Sequence, residues 1–205
     1  MNFQALLKSS TVLLATLFTL NAHALVELRL NYSLLTSNTD LKNTTTSTAT
    51  LPSISAASGL GADFFISPPG TDFGFGARYE KQASTIGDSN LKFESDFSRT
   101  AALVNYRLIN TLLFTGPVFT YGLSHSGSFK SSAGGVTLTD FSPGSASSYS
   151  IGWELGVKLL TFRIGAEVGY ESLKWTNCVD AKGALSNRDI DLSGTYAVVL
   201  LGVGI

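Results

Sequence analysis

His125 and the serines beside it are the residues whose types most invite a chemical role. The segment Leu123–Ser128 places one imidazole among three serine hydroxyls. A histidine can act as the general base for a serine nucleophile when the two side chains lie within hydrogen-bond reach. Serines are common throughout this part of the chain, so their nearness in sequence is weak evidence. We predict no catalytic residue here.

Other patterns that could support chemistry are missing from the sequence. Cys178 is the one cysteine, so it cannot form an intrachain disulfide, and no second soft metal ligand lies near it. No glycine-rich phosphate loop leads from a strand into a helix. We therefore predict no enzyme activity, no metal site and no cofactor. The formal net charge of −1 also leaves no strong field for nucleic acid.

Charged residues recur instead at every second position of an alternating pattern. Across Tyr149–Trp175, apolar residues alternate with serine, glycine and charged residues. A period of two is typical of β-strands. We predict two strands joined by the tight turn Leu160-Thr161, with Lys158 opposite Arg163.

The same alternation predicts eight strands in all. Their expected ranges are 25–35, 53–66, 73–80, 91–107, 111–123, 149–159, 162–175 and 190–205. The facing of the fourth strand is expected to shift near Arg99, which would indicate a bulge. Pro117 predicts a bulge or an unpaired site in the fifth strand because it lacks a ladder donor.

The first 24 residues predict a secretory signal peptide. Met1–Lys8 carries one positive charge, Thr11–Leu20 is a mostly apolar run, and Ala22-His23-Ala24 is an A-x-A cleavage signal. The run is about half the ~20 residues that a spanning helix needs. We expect residues 1–24 to be removed and residues 25–205 to form one domain.

The lengths of the connections alternate along the chain. Short turns at Pro68–Asp72, Leu108–Asn110 and Leu160-Thr161 separate longer polar loops. Those loops are 36–52, 84–90, 124–148 and 176–189. A transmembrane barrel has short periplasmic turns, longer external loops and an even strand number. We therefore predict an all-β, eight-stranded, antiparallel up-and-down transmembrane β-barrel.

With its leader, its eight strands and a last strand that alternates from Ala197 to Ile205, the chain resembles small bacterial outer-membrane β-barrels of the OmpA transmembrane-domain, OmpX and opacity-protein type. The resemblance implies a monomer in outer-membrane lipid, including lipopolysaccharide, inserted by the barrel-assembly machinery. Such proteins usually end in an aromatic residue, whereas this chain ends in Ile205. Some barrels of this size modify lipid A with a His-x-Ser arrangement, but Gly127 follows His125 by two positions.

An eight-stranded barrel is just wide enough for side chains to fill it, and buried charges are tolerated when they are paired. We predict an interior charge network in two layers. Glu27 is expected near Lys158 and Arg163, and Arg29 and Arg78 near the level of Asp63, Glu154 and Glu167. The predicted network comprises Glu27, Arg29, Asp63, Arg78, Glu80, Glu154, Lys158, Arg163, Glu167 and Glu171.

Aromatic residues near strand ends predict girdles at the lipid interface. They are Tyr32, Tyr79, Tyr149, Trp153 and Tyr170. The expected function is structural or surface-interacting, with an external ligand met by the loops Thr36–Pro52 and Ser124–Ser148 and the interior closed by the charge network. The alternatives are a narrow ion-conducting pore and, more remotely, a lipid A-modifying acyl hydrolase or transferase.

Overall fold

A computed structural model describes residues 25–39, 54–87, 92–142, 144–181 and 188–204. The predicted signal peptide, most of the loop Thr36–Pro52 and Ile205 lie outside these described residues. Among the described residues, no helix is long and apolar enough to cross a membrane.

Eight long strands and three short ones make up the described chain. The long strands are β1 (Leu25–Thr39), β2 (Ile54–Ser67), β3 (Phe73–Gly87), β4 (Lys92–Tyr106), β6 (Leu113–Ala133), β8 (Ser145–Leu159), β9 (Phe162–Asp180) and β11 (Gly194–Gly204). The short ones are β5 (Ile109–Asn110), β7 (Val136–Ser142) and β10 (Arg188–Asp191).

The long strands pair antiparallel with their neighbours in chain order, and β11 returns to pair with β1. Ladders join β1 to β2, β2 to β3, β3 to β4, β4 to β6, β6 to β8 and β8 to β9. The ring is closed, so the predicted eight-stranded antiparallel barrel is confirmed. Closure leaves no long strand with an unpaired edge in the membrane.

The short connections gather at one end of the barrel, which we call the turn end. The two-residue turn Leu160-Thr161 joins β8 to β9, and Leu160 has a φ of 56°. The Gly204 amide donates to the Thr161 carbonyl at 2.7 Å, so β11 finishes at this end. In an outer-membrane barrel the end with the short turns faces the periplasm. The opposite end is called the loop end.

The outward face of the barrel is apolar over the height of a membrane. Leu30 and Leu60, for example, expose 66% and 69% of their surface. The five predicted girdle aromatics Tyr32, Tyr79, Tyr149, Trp153 and Tyr170 all lie on this outward face, each more than two-fifths exposed. An exposed apolar band of this kind is what a lipid-facing surface requires.

The region between Leu123 and Ser148 differs from the expected loop. Strand β6 continues to Ala133, turns through two glycines with positive φ and returns as β7. The outward positions from Ser124 to Ser132 of β6 are serines and one lysine rather than apolar residues. The apolar alternation therefore disappears from the sequence while the strand continues.

The change of facing expected near Arg99 was wrong, and of the two outcomes expected at Pro117 the bulge is absent. Burial alternates without interruption along β4, including at Arg99. The register shift lies in β6, where Thr100 is opposite Ser124 and Ala101 is opposite Gly122. Pro117 keeps an unbroken register opposite Trp153. Successive residues of an antiparallel strand direct their amides to opposite neighbours, so one missing donor removes a bond without shifting the register.

The barrel interior is filled by two different kinds of side chain. Near the turn end and in the middle it holds charged side chains, whereas toward the loop end it holds a buried apolar cluster. This loop-end cluster includes Leu35, Phe93, Phe97, Phe129, Phe141, Leu173, Trp175, Cys178, Ile190 and Leu192. The rings of Phe129 and Trp175 meet edge to face at 5.6 Å. The loop end is thus packed as a hydrophobic core.

Candidate functional site in the barrel interior

The layer of buried ion pairs on the turn-end side of the interior is a closed ring of two arginines and two glutamates. Arg29 donates from Nε to Glu27 at 2.6 Å and from Nη1 to Glu154 at 2.9 Å. Arg107 donates from Nε to Glu154 and from Nη2 to Glu27, both at 3.0 Å. Each arginine binds both carboxylates, and all four residues are almost completely buried. We call this set the four-residue ring.

Two phenylalanines pack against the guanidinium groups of the ring. Arg29 lies over the Phe65 ring at 4.3 Å, and Arg107 lies over the Phe114 ring at 4.9 Å. Phe65 is the apolar exception on the otherwise polar inward face of β2. Cation–π contacts of this kind stabilise a desolvated arginine and fill the lumen beside it.

Arg78 occupies the middle layer between two carboxylates from opposite walls. It binds Asp63 through Nε at 2.9 Å and Nη2 at 3.0 Å. It binds Glu167 through Nη1 at 3.1 Å and Nη2 at 2.7 Å. The Tyr196 hydroxyl donates to Glu167 at 2.5 Å, and Asn31 donates to Asp63 at 2.8 Å. Paired, forked contacts of this type are the strongest ion-pair geometry available to arginine.

Arg99 forms the third layer, closest to the loop end. Its Nε lies 2.6 Å from Glu80, and its Nη1 lies 2.6 Å from Glu171. All three side chains are at least 97% buried. The layer thus repeats the arrangement of one arginine between two carboxylates.

All ten residues of the predicted network lie on the inward face. Arg29 contacts Glu154, and Arg78 contacts Asp63 and Glu167, at the level expected for them. Glu27 bonds mainly to Arg29 and Arg107 and lies 3.7 Å from Arg163. Arg99 and Arg107 were missing from the prediction. Arg99 was left out because the facing of the fourth strand was expected to shift near it. Arg107 was left out because it lies where the predicted strand meets its turn. The unbroken alternation from Lys92 is the signal that would have found both.

Glycines opposite each other on β8 and β9 make room for large rings. Gly156 pairs with Gly165, and Gly152 pairs with Gly169. A Cβ at Gly156 would overlap the Phe114 ring and the Ile164 carbonyl oxygen. The Tyr196 ring covers the second glycine pair in the same way. The inward glycines therefore admit the aromatic side chains that pack against the charge network.

His125 lies on the inward side of β6, between the charge network and the loop-end cluster. Its Nε2 shares a hydrogen bond of 2.8 Å with the Ser148 hydroxyl, and its ring meets Trp175 edge to face at 5.9 Å. Burial, with a smaller effect of the Arg99 charge, lowers the pKa of His125. A neutral imidazole bonded to a serine could accept its proton. The serine is Ser148, which is far from His125 in sequence.

The described residues contain no group of three or more histidine, cysteine, aspartate or glutamate side chains placed to hold a metal ion. Cys178 is buried in the loop-end cluster on β9, and burial raises the pKa of its thiol. It was expected to be a loop residue, but β9 extends as far as Asp180.

Comparison with known proteins supports the architecture. No protein-family model matches the chain, and no curated protein matches it. Ail, the attachment invasion locus protein of Yersinia pestis, superposes with a TM-score of 0.51 at 14% identity, covering 88% of this chain and 97% of Ail. The outer membrane protein OprG from Pseudomonas aeruginosa gives 0.51 at 13% identity, with coverage of 89% and 96%. The chain therefore has the fold of the small eight-stranded bacterial outer-membrane β-barrels.

Proposed function

We propose that this chain is an integral outer-membrane protein that presents a rigid surface structure to the outside and has an interior closed to passage. The lipid-facing band anchors the barrel, and lipopolysaccharide surrounds its outer half. The contacts with partners are made by the β6–β7 hairpin and the neighbouring connections at the loop end.

The length of the β6–β7 hairpin is the observation on which this proposal rests. Strand β6 continues from Tyr121 to Ala133. This part of the strand is roughly 40 Å long at about 3.3 Å per residue. The hairpin tip exposes Val136 and Leu138, at 65% and 45%. Apolar residues exposed at the tip of a hairpin that is held in the barrel wall are suited to binding a partner.

The charges on the outer surface favour a partner that is not strongly anionic. Exposed lysines pair with neighbouring acids at Lys81–Asp96, Lys92–Glu94, Lys130–Asp140 and Lys174–Asp191. On the described part of the outer surface, these pairs leave little free positive charge to attract a polyanion. The name of Ail refers to attachment, which agrees with a surface role, although likeness at this identity extends to the fold alone.

The double variant Val136→Asp/Leu138→Asp is expected to reduce adherence of expressing cells to epithelial monolayers or matrix-coated wells by at least about fivefold. Two carboxylates would have to be desolvated in any apolar contact that the tip makes. Adherent cells are counted after washing, against wild type at equal surface expression.

Leu160→Asp is the matched control, because it makes the same change at a 97% exposed position of the turn end. It should adhere like wild type. Equal adherence of the tip variant and wild type would contradict a role for the hairpin tip in binding.

The pore alternative predicts steady conductance, which the interior geometry opposes. The four-residue ring and the layers of Arg78 and Arg99 join facing walls of the lumen through buried ion pairs. We expect the refolded protein to give no steady discrete openings in a planar bilayer in which a general porin, as control, conducts. Openings whose size changes in Arg78→Ala or Glu167→Ala would show that these side chains line a path.

The lipid A alternative depends on His125, and the position of its partner argues against it. Ser148 is 3% exposed and faces the barrel interior, whereas the acyl chains of lipid A lie against the outward face. A nucleophile in this place is directed away from that substrate. The hydrogen bond between the two side chains is better explained as satisfying two polar groups beside the loop-end cluster.

A further inference from the structure

The interior charges are unevenly distributed along the barrel axis. The layers of Arg78 and Arg99 contain two arginines and four carboxylates. The turn-end region contains four cations, Arg29, Arg107, Lys158 and Arg163, and two carboxylates, Glu27 and Glu154. Among the described interior residues, positive charge is therefore in excess at the turn end and negative charge above it.

The four-residue ring already occupies the carboxylates of the turn end. Glu27 accepts from Arg29 on one oxygen and from Arg107 on the other. Glu154 does the same, and Asn105 donates to it as well at 2.7 Å. Every carboxylate oxygen of this ring therefore already accepts a hydrogen bond from at least one guanidinium group of the ring.

Lys158 and Arg163 are consequently held mainly by neutral oxygens. The Lys158 ammonium donates to the Asn110 side-chain oxygen. Arg163 donates from Nη1 to the carbonyls of Leu160 at 3.2 Å and Phe162 at 3.4 Å, and its one carboxylate contact is the longer one to Glu27 at 3.7 Å. The two cations face each other directly across the β8–β9 ladder, an arrangement that costs stability.

The arginines behind them also have unused donors. Nη2 of Arg29 and Nη1 of Arg107 are buried and make no hydrogen bond, although each residue is only 2% exposed. Arg107 and Arg163 both contact Oε2 of Glu27, at 3.0 and 3.7 Å, so their positive charges lie close together. A buried charged donor without a partner carries a large desolvation cost, which a bound anion would remove.

We propose that the turn end is a binding site for a small periplasmic oxyanion, which Lys158 and Arg163 hold at the opening and Arg107 supports from inside. The ligand chemistry is a phosphate or a terminal carboxylate, because guanidinium groups bind both in a forked geometry. Lys158 is half-buried, so the periplasm can reach it. The site lies at the opposite end from the surface hairpin and does not depend on the proposed surface function.

The test is calorimetric titration of the refolded barrel in detergent with inorganic phosphate, at constant ionic strength with chloride as the replaced anion. We expect saturable binding by wild type and at least a tenfold loss of affinity in both Lys158→Gln and Arg163→Gln. Lys174→Gln is the control, since it removes a lysine of an exposed ion pair at the other end. It should bind phosphate like wild type.

Two sources of the anion are separated by a second titration, with soluble cell-wall peptides that carry free carboxylates. Competition with phosphate would identify a polymer-linked carboxylate as a ligand, whereas phosphate binding without competition would identify the free ion. Either result supports the site. Absence of phosphate binding by folded wild type, or equal binding by wild type and both turn-end variants, would overturn it.

Discussion

Replacing Arg78 with leucine is expected to lower the free energy of unfolding by about 3–5 kcal/mol, the range for breaking a buried ion pair on one side. Arg78 makes four hydrogen bonds to Asp63 and Glu167, and none of the three side chains is exposed. Without the guanidinium, two carboxylates would remain buried with no cation between them. Urea unfolding in lipid vesicles, followed by the mobility difference between folded and unfolded barrels on gels, measures the change.

Two further variants make this prediction specific. Lys174→Gln breaks an exposed pair with Asp191 and should cost about 0–1 kcal/mol, as surface pairs do. The triple variant Arg78→Leu/Asp63→Asn/Glu167→Gln removes the stranded charges and should recover part of the loss. If Arg78→Leu costs no more than Lys174→Gln, the middle layer does not stabilise the barrel.

Gly156→Val is expected to prevent the barrel from reaching its folded state, or to destabilise it by more than the about 1–3 kcal/mol typical of overpacking. The added side chain would overlap the Phe114 ring and the carbonyl oxygen of Ile164. A ring can move, but the carbonyl belongs to the adjacent β9 ladder and cannot. The measurement is the fraction of folded protein after refolding into detergent, read from the same gel shift.

Leu155→Phe is the matched control for this substitution. It also enlarges the side chain, at the neighbouring position, but Leu155 is 59% exposed on the outward face, where lipid can adjust. This control should fold like wild type. Normal folding and stability of Gly156→Val would show that the inward face of β8 has room that the contacts of Phe114 do not suggest.

The membrane-spanning part of the fold could be predicted from the sequence because lipid imposes a strict pattern there. The turn Leu160-Thr161 and the pairings of Lys158 with Arg163 and Glu154 with Glu167 are confirmed by the observed register. Two-residue turns fix the register of the strands that they join. Local spacing therefore contained the necessary information.

The rest could not be predicted, for two physical reasons. Beyond the membrane the outward face no longer needs apolar residues, so the continuation of β6 past Leu123 resembled a serine-rich loop. The ion pairs depend on which residues meet across the lumen. Arg99 and Glu171 are on β4 and β9, and their contact is set by the tilt and stagger of the closed ring rather than by any local spacing.

The links across the lumen also constrain how the barrel can be assembled. Arg29 on β1 needs Glu154 on β8, and Arg78 on β3 needs Glu167 on β9. Strands β1 and β3, which are synthesised early, therefore depend on β8 and β9, which are synthesised late. An incompletely closed sheet in the bilayer would hold these charges without partners against hydrocarbon, which is strongly unfavourable. We therefore expect insertion and closure to occur together as one cooperative step.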